Sequence, residues 1–278
     1  MRFGEFELFL VSDGTVHLDG GAMFGAIPKV LWEKLHPADH RNRILLGLNC
    51  LLIRTPTETI LVDTGIGSVY DEKFAFLNGV DQSGADLLRS LAAVGVRPTD
   101  ITRVILTHLH LDHGGGNCCR DGHGAFVPTF PNAPYYINRK ELAFAKRPDP
   151  RSRPAYLPHT WEVLERREQV VLTPENEEIV PGVSVMATPG HTQDHQSVLV
   201  RSEGRTACFL ADLAPTPSHL KTHYVMGYDL FPKTTMETKE RVLRQALEEN
   251  WLLIFEHAPG IKAGYLTEGL QVRPVEGL

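Results

Sequence analysis

Apolar positions fall in short runs along almost the whole chain, broken every few residues by Gly, Pro or charged residues. The opening stretch MRFGEFELFLVSDG places Glu5 and Glu7 between apolar residues, an alternation that predicts a half-buried first strand. Residues 50–65, CLLIRTPTETILVDTG, predict a hairpin closed at Pro56–Thr57, with arms rich in Leu, Ile and Val. Further strands are expected at 103–108, 133–138, 183–190, 197–202, 206–212 and 251–260, each a β-branched or aromatic run that ends in a turn or a polar residue.

Two segments carry the helical period instead. Residues 83–96, SGADLLRSLAAVGV, start with Ser83 as N-cap and Asp86 three positions on. Residues 234–250 pair Thr234 with Glu237 as a capping box, and Met236, Val242, Leu243 and Leu247 can share one face. Strands and helices interleave, and no Ser/Gly linker or shift of composition divides residues 1–278. One α/β domain is expected, with sheets packed together and helices outside. The stretch 139–154, RKELAFAKRPDPRSRP, has six Lys/Arg against two acids, and three prolines. It reads as a solvated loop or lid, or as a guide for an anionic substrate.

Composition narrows the partners. The net charge of −6 argues against a nucleic-acid binder, which normally shows a basic excess. No apolar run approaches the roughly 18–20 residues of a membrane helix, and the acids near the N-terminus do not fit a signal peptide. The four cysteines, at 50, 118, 119 and 208, are too few and scattered for a disulfide framework. They read as plain thiols in a reducing cytoplasm, where the chain is expected to act on a small molecule.

The chemistry concentrates in THLHLDHGGGN, residues 107–117. His108, His110, Asp112 and His113 crowd into six positions as the chain leaves a buried strand. Neutral imidazole and carboxylate suit zinc, manganese, iron or cobalt. Four such side chains cannot all serve one ion with good geometry, so two divalent ions are expected, zinc first among the candidates. Gly114, Gly115 and Gly116 are read as letting the chain turn away and leaving room above the ions. Further donors stand at other strand tips: His191 after TPG, Asp212 after CFLA, and His257 after LIFE.

This set, H-x-H-x-D-H followed by a later His, an Asp and a His, resembles the metallo-β-lactamase-fold hydrolases, with no position missing. The resemblance runs from about residue 5 to 260 and implies an αββα sandwich with the site along one edge of the packed sheets. It further implies that one ion takes His108, His110 and His191, the other Asp112, His113 and His257, with Asp212 bridging. Asp63 in LVDTG resembles the residue that stands behind a ligand histidine and holds its tautomer. A hydroxide shared by two ions is then the expected nucleophile, with Asp112 relaying a proton to the leaving group. Oxygen-reducing iron relatives typically carry Glu where His110 stands here, which favours hydrolysis.

The fold hosts many substrates. HLDHGGGN resembles the lactonase and thioesterase branches, and residues 19–32 and 215–232 resemble quorum-quenching lactonases, which open N-acyl-homoserine lactones. Gly20, Gly21 and Gly25 flank Met23 and Phe24, as in a mobile apolar loop covering an acyl chain, with Trp32 and Met226 as further walls; the same residues could instead fill the core. Acyl-homoserine lactonases often carry a Tyr three residues after the bridging Asp, and here that position is Pro215. His219, His223 or Tyr224 are the substitutes, Tyr224 as phenol donor and His219 as a substrate contact. Phosphotriester or arylester hydrolysis is the alternative, and a non-enzymatic metal-binding protein is the alternative of another class. A nuclease is disfavoured by the acidic charge. Aromatic loops near the site are natural homodimer contacts.

Overall fold

In the computed structural model, which describes residues 1–278, strands Arg43–Arg54 and Thr59–Val62 are buried without a break from Leu46 to Ile53 and from Ile60 to Val62. Successive side chains in a strand point to opposite faces, so an unbroken apolar run means a sheet covered on both sides. Leu51, Ile53, Ile60 and Val62 turn into a core shared with a second sheet, where they meet Val185, Val198, Phe209 and Ile254. Cys50, Leu52 and Leu61 turn the other way, into a core completed by Leu87, Leu91, Leu142, Trp161 and Leu164 from three helices. On the far side, Leu199, Cys208 and Leu253 pack against Val242, Leu243 and Ala246 of helix Pro232–Glu248. The layers are therefore helix, sheet, sheet, helix. Each fully buried Leu, Ile or Val in them contributes roughly 1.5–3 kcal/mol.

The first sheet runs Arg2–Phe3, Phe6–Asp19, Arg43–Arg54, Thr59–Val62, Arg103–Ile105, Tyr135–Asn138, Val170–Thr173 from edge to edge. Its first four strands pair antiparallel and the remainder parallel. The second runs Glu178–Val180, Val183–Ala187, Gln196–Ser202, Arg205–Phe209, Leu252–Ile254, Ala263–Thr267, Gln271–Pro274. Its one parallel pair, Arg205–Phe209 with Leu252–Ile254, is bridged by helix Pro232–Glu248. No helix is long and apolar enough to cross a membrane.

Several elements depart from the sequence pattern for local reasons. The helix expected at 83–96 spans Leu87–Ala93, because Asp86 caps it by accepting from Arg89 N while the Ser83 hydroxyl is occupied by Asp81. Helix Pro232–Glu248 begins two residues before Thr234, since a proline at the first helical position needs no N–H partner. Its buried face is Thr235, Thr238, Lys239, Val242, Leu243 and Ala246, which leaves Leu247 exposed. The basic stretch is not all loop: Arg139–Ala145 is a helix, capped by Asn138 and burying Glu141, Leu142 and Ala145. Its charges masked a full turn of apolar residues, Leu142 to Ala145.

Candidate metal centre

The donors sit where chains leave the packed sheets on one edge. His108 and His110 follow strand Arg103–Ile105, and Asp112 and His113 lie in the short helix Leu111–Gly114 that comes next. His191 follows Val183–Ala187, Asp212 follows Arg205–Phe209, and His257 follows Leu252–Ile254. Two groups result: His108, His110, His191 and Asp212, then Asp112, His113 and His257, each with its donor atoms within 4.8 Å of one another. Asp212 touches both. Its Oδ2 lies 3.0 Å from His191 Nε2 and 3.4 Å from His113 Nε2, and its Oδ1 lies 3.2 Å from His257 Nε2.

The hydrogen bonds behind these rings decide which nitrogen faces the centre. His113 Nδ1 is 3.0 Å from Asp63 Oδ2, His257 Nδ1 is 2.9 Å from Gly47 O, and His191 Nδ1 is 3.0 Å from Asp229 Oδ1. Each acceptor holds a proton on Nδ1 and leaves a lone pair on Nε2. His113 Nε2 and His257 Nε2 then face each other at 3.3 Å, both beside the Asp212 carboxylate. Two such nitrogens and a carboxylate converging in a buried space repel unless protons or cations lie among them. His108 Nε2 and Asp212 Oδ1 are also buried with no hydrogen-bond partner. The donor set therefore fits divalent metal ions on its own chemistry.

Charge tells the same story. Burial works against ionised imidazole, yet Asp212 and Asp229 raise His191 to about 10, and Asp212 and Glu256 raise His257 to about 9. Burial and neighbouring imidazoles push His108 and His110 well below the ordinary histidine range. The carboxylates draw onto the rings the positive charge that bound cations would supply.

The glycines after His113 have a different task from the one expected. None of Gly114, Gly115 and Gly116 has a positive φ. A Cβ on Gly115 would meet Ile66 O at 2.3 Å, and one on Gly116 would meet Thr64 O at 2.1 Å. They let two backbone segments touch, with Thr64 N donating to His113 O at 2.7 Å and Gly116 N to Gly65 O at 3.2 Å. That contact fixes the Asp63 strand end against the ligand helix. Asp63 itself has φ +56°, and Ala211, beside Asp212, has φ +47°. Such strain in non-glycine residues concentrates at functional sites.

A cavity of about 400 Å³ opens beside the donors. His110, Asp112, His191, Asp212 and His257 form its floor, while Val16, Leu18, Ile66, Phe74 and Met226 line its walls. Of the side chains expected to meet substrate, Met23 and Met226 line this cavity, whereas Phe24, Trp32, His219 and Tyr224 do not. Phe24 stacks on Trp32 at 5.5 Å and on His219 at 4.6 Å, all three fully buried. His219 is held by Thr216 Oγ1 and Met23 O, so both ring nitrogens are occupied in the core. Tyr224 packs edge-on against Phe24 in the same cluster. The apolar loop folded inward because its aromatic rings find one another. The phenol that lines the cavity is that of Tyr228, four residues on.

Three supporting residues went unnoticed in the sequence. His195 accepts from Asp212 N at 3.2 Å while its Nδ1 is held by Thr188, which sets the carboxylate's backbone. Burial and the charge on His191 push its pKa down to about 3. Asp229 orients His191, and Glu256 lies 3.0 Å from His113 Nδ1. The first lies four residues after His191 and the third immediately before His257, where the more obvious histidine drew attention.

Fold and site together define a metal-dependent hydrolase. The metallo-β-lactamase superfamily model matches residues 44–257, and the chain belongs to that superfamily. A probable metal-dependent hydrolase from Staphylococcus aureus superposes with a TM-score of 0.91 at 28% identity, over 100% of both chains. An N-acyl homoserine lactonase from a Bacillus species is 28% identical over 220 residues, spanning 75% of this chain and 80% of the relative. The dizinc quorum-quenching lactonase AidC, solved in complex with a product, superposes at 0.81 with 23% identity over 100% of this chain and 97% of its own, a likeness of fold alone.

Proposed function

We propose that this hydrolase opens the ring of N-acyl-homoserine lactones or closely related lactones. The observation that carries the reading is the cavity: Val16, Leu18, Ile66, Phe74 and Met226 line a space of about 400 Å³ beside the donor groups, with Asn78, Arg151, Ser152 and Tyr228 as its other polar lining. The similarity to an N-acyl homoserine lactonase supports the same choice.

Two divalent ions, zinc first among them, would be held by His108, His110 and His191 and by Asp112, His113 and His257, with Asp212 reaching both. When bound they supply an activated water and polarise the scissile carbonyl. The protein's own residues do the rest. Asp63, Asp229 and the Gly47 carbonyl keep three imidazoles in the tautomer that presents Nε2. Asp112 is the donor-group carboxylate at the cavity edge, its side chain 21% exposed, so it can carry a proton to the departing ring oxygen. Tyr228 keeps its phenolic proton at neutral pH, because burial and the nearby Asp112 and Asp19 charges raise it to about 12. Lining the cavity, it can donate a hydrogen bond to a lactone or amide carbonyl. Met23, Ile66, Phe74 and Met226 exclude water along the chain of the substrate.

The test compares kcat/KM for N-acyl-homoserine lactones, followed by proton release, with phenolate release from an aryl ester and a phosphotriester. A lactone value well above both supports the reading. A phosphotriester or aryl ester value well above the lactone's replaces it.

A further inference from the structure

We propose that Glu141 is a positioning residue that sets His108, His110 and His191 as one unit, without acting on the second donor group. It is 1% exposed, in helix Arg139–Ala145, and no Lys, Arg or His lies within ion-pair distance of it. Three donors satisfy its carboxylate instead. Leu109 N donates to Oε1 at 3.1 Å, Tyr156 OH donates to Oε1 at 2.9 Å, and Thr192 Oγ1 donates to Oε2 at 2.9 Å.

Each of those partners adjoins a histidine of the first group. Leu109 lies between His108 and His110, and Thr192 follows His191. The Tyr156 ring packs edge-on against His110, centroids 5.0 Å apart. One carboxylate thus ties two ligand loops, more than eighty residues apart in sequence, to a single point. The second group hangs elsewhere: His113 on Asp63 and His257 on Gly47 O. Packing alone does not call for a charge here. An apolar residue would fill the space without the several kcal/mol that removing a carboxylate from water costs. Glutamine would fill it too, but without the charge and with its NH2 turned to Thr192 Oγ1, whose hydroxyl would then have to accept where it now donates.

The proposal rests on the reading that these histidines hold metal. The metal-free chain is titrated with cobalt(II), whose visible absorbance reports each equivalent bound, and its melting is followed in parallel. Wild type should take two equivalents. Glu141→Gln should keep its melting temperature and one equivalent, while the other weakens about 10–100-fold, the usual effect of losing a residue behind metal ligands. On a His257→Ala background, which retains the first group, the same change should weaken the remaining equivalent. If E141Q does not fold, Thr192→Val, which removes only the Oε2 contact, should show the same selective weakening to a smaller extent. Two equivalents held equally by wild type and variant, or weakened together, overturn the role of Glu141. A wild-type chain that takes up no cobalt overturns the metal reading itself.

Discussion

Gly116→Ala is the substitution whose consequence can be worked most directly from the packing. The new Cβ would lie 2.1 Å from the carbonyl oxygen of Thr64, where ordinary contact begins at 3.4 Å. Relief requires the two strands of backbone to part by about 1.3 Å, and neither is a flexible side-chain end. Thr64 is also bonded to His113 O through its own N–H and hydroxyl, at 2.7 and 3.1 Å. Overpacking of this kind costs about 1–3 kcal/mol. For a chain of this size that corresponds to a fall in Tm of roughly 2–5 °C. Because Asp63 precedes Thr64, the displacement also loosens the Asp63–His113 contact, so one metal equivalent should bind more weakly. Gly122→Ala is the control, since its Cβ meets nothing within 4 Å. Melting of both variants in chelator, followed by metal titration, reads both effects. A G116A protein that melts within about 1 °C of wild type and binds metal equally would refute the packing argument.

Lys239 is buried with its Nζ on Tyr224 O, and burial lowers it to about 8. Its folded pKa is below the unfolded value of 10.5, so the unfolded chain binds more protons between those pH values and stability rises across that window. Relative to Lys239→Met, wild type should gain up to about 3 kcal/mol between pH 8 and pH 10.5, read as a shift in their Tm difference; a flat difference would place the amine in water. Tyr228→Phe should lower lactone kcat by roughly 10–100-fold through loss of a hydrogen-bond donor, whereas Tyr224→Phe should leave it within about twofold; equal losses would put the phenol elsewhere. Removing metal should cost the stability that ligand binding supplies, about 4 kcal/mol when free zinc exceeds its Kd a thousandfold, measured as the Tm difference with and without chelator. Unchanged melting would mean that the donor groups hold no metal.

The donor positions were legible because their chemistry is local: a dense run of histidines, then single residues at strand tips that end β-branched runs. Their supports were not, because support is a matter of tertiary distance. Glu141 sits in a basic stretch whose charges suggested solvent, and only folding brings its carboxylate to Leu109 and Thr192. The glycines were visible but misread, since their partners Thr64 and Ile66 lie about fifty residues upstream. Phe24, Trp32, His219 and Tyr224 were picked as substrate contacts for their type, and they form an inward stack instead. Type alone does not say which way a loop turns. Tyr228 and Met226, on the same loop, do face the cavity.

The most direct test of the lactonase reading is the product formed from an N-acyl-homoserine lactone by the zinc-loaded, chelator-stripped and zinc-restored chain. The loaded and restored protein should convert the lactone to the open N-acyl-homoserine, one water heavier by mass, and the stripped protein should not. Intact lactone after incubation with fully zinc-loaded protein, or ring opening that survives complete removal of metal, would contradict it.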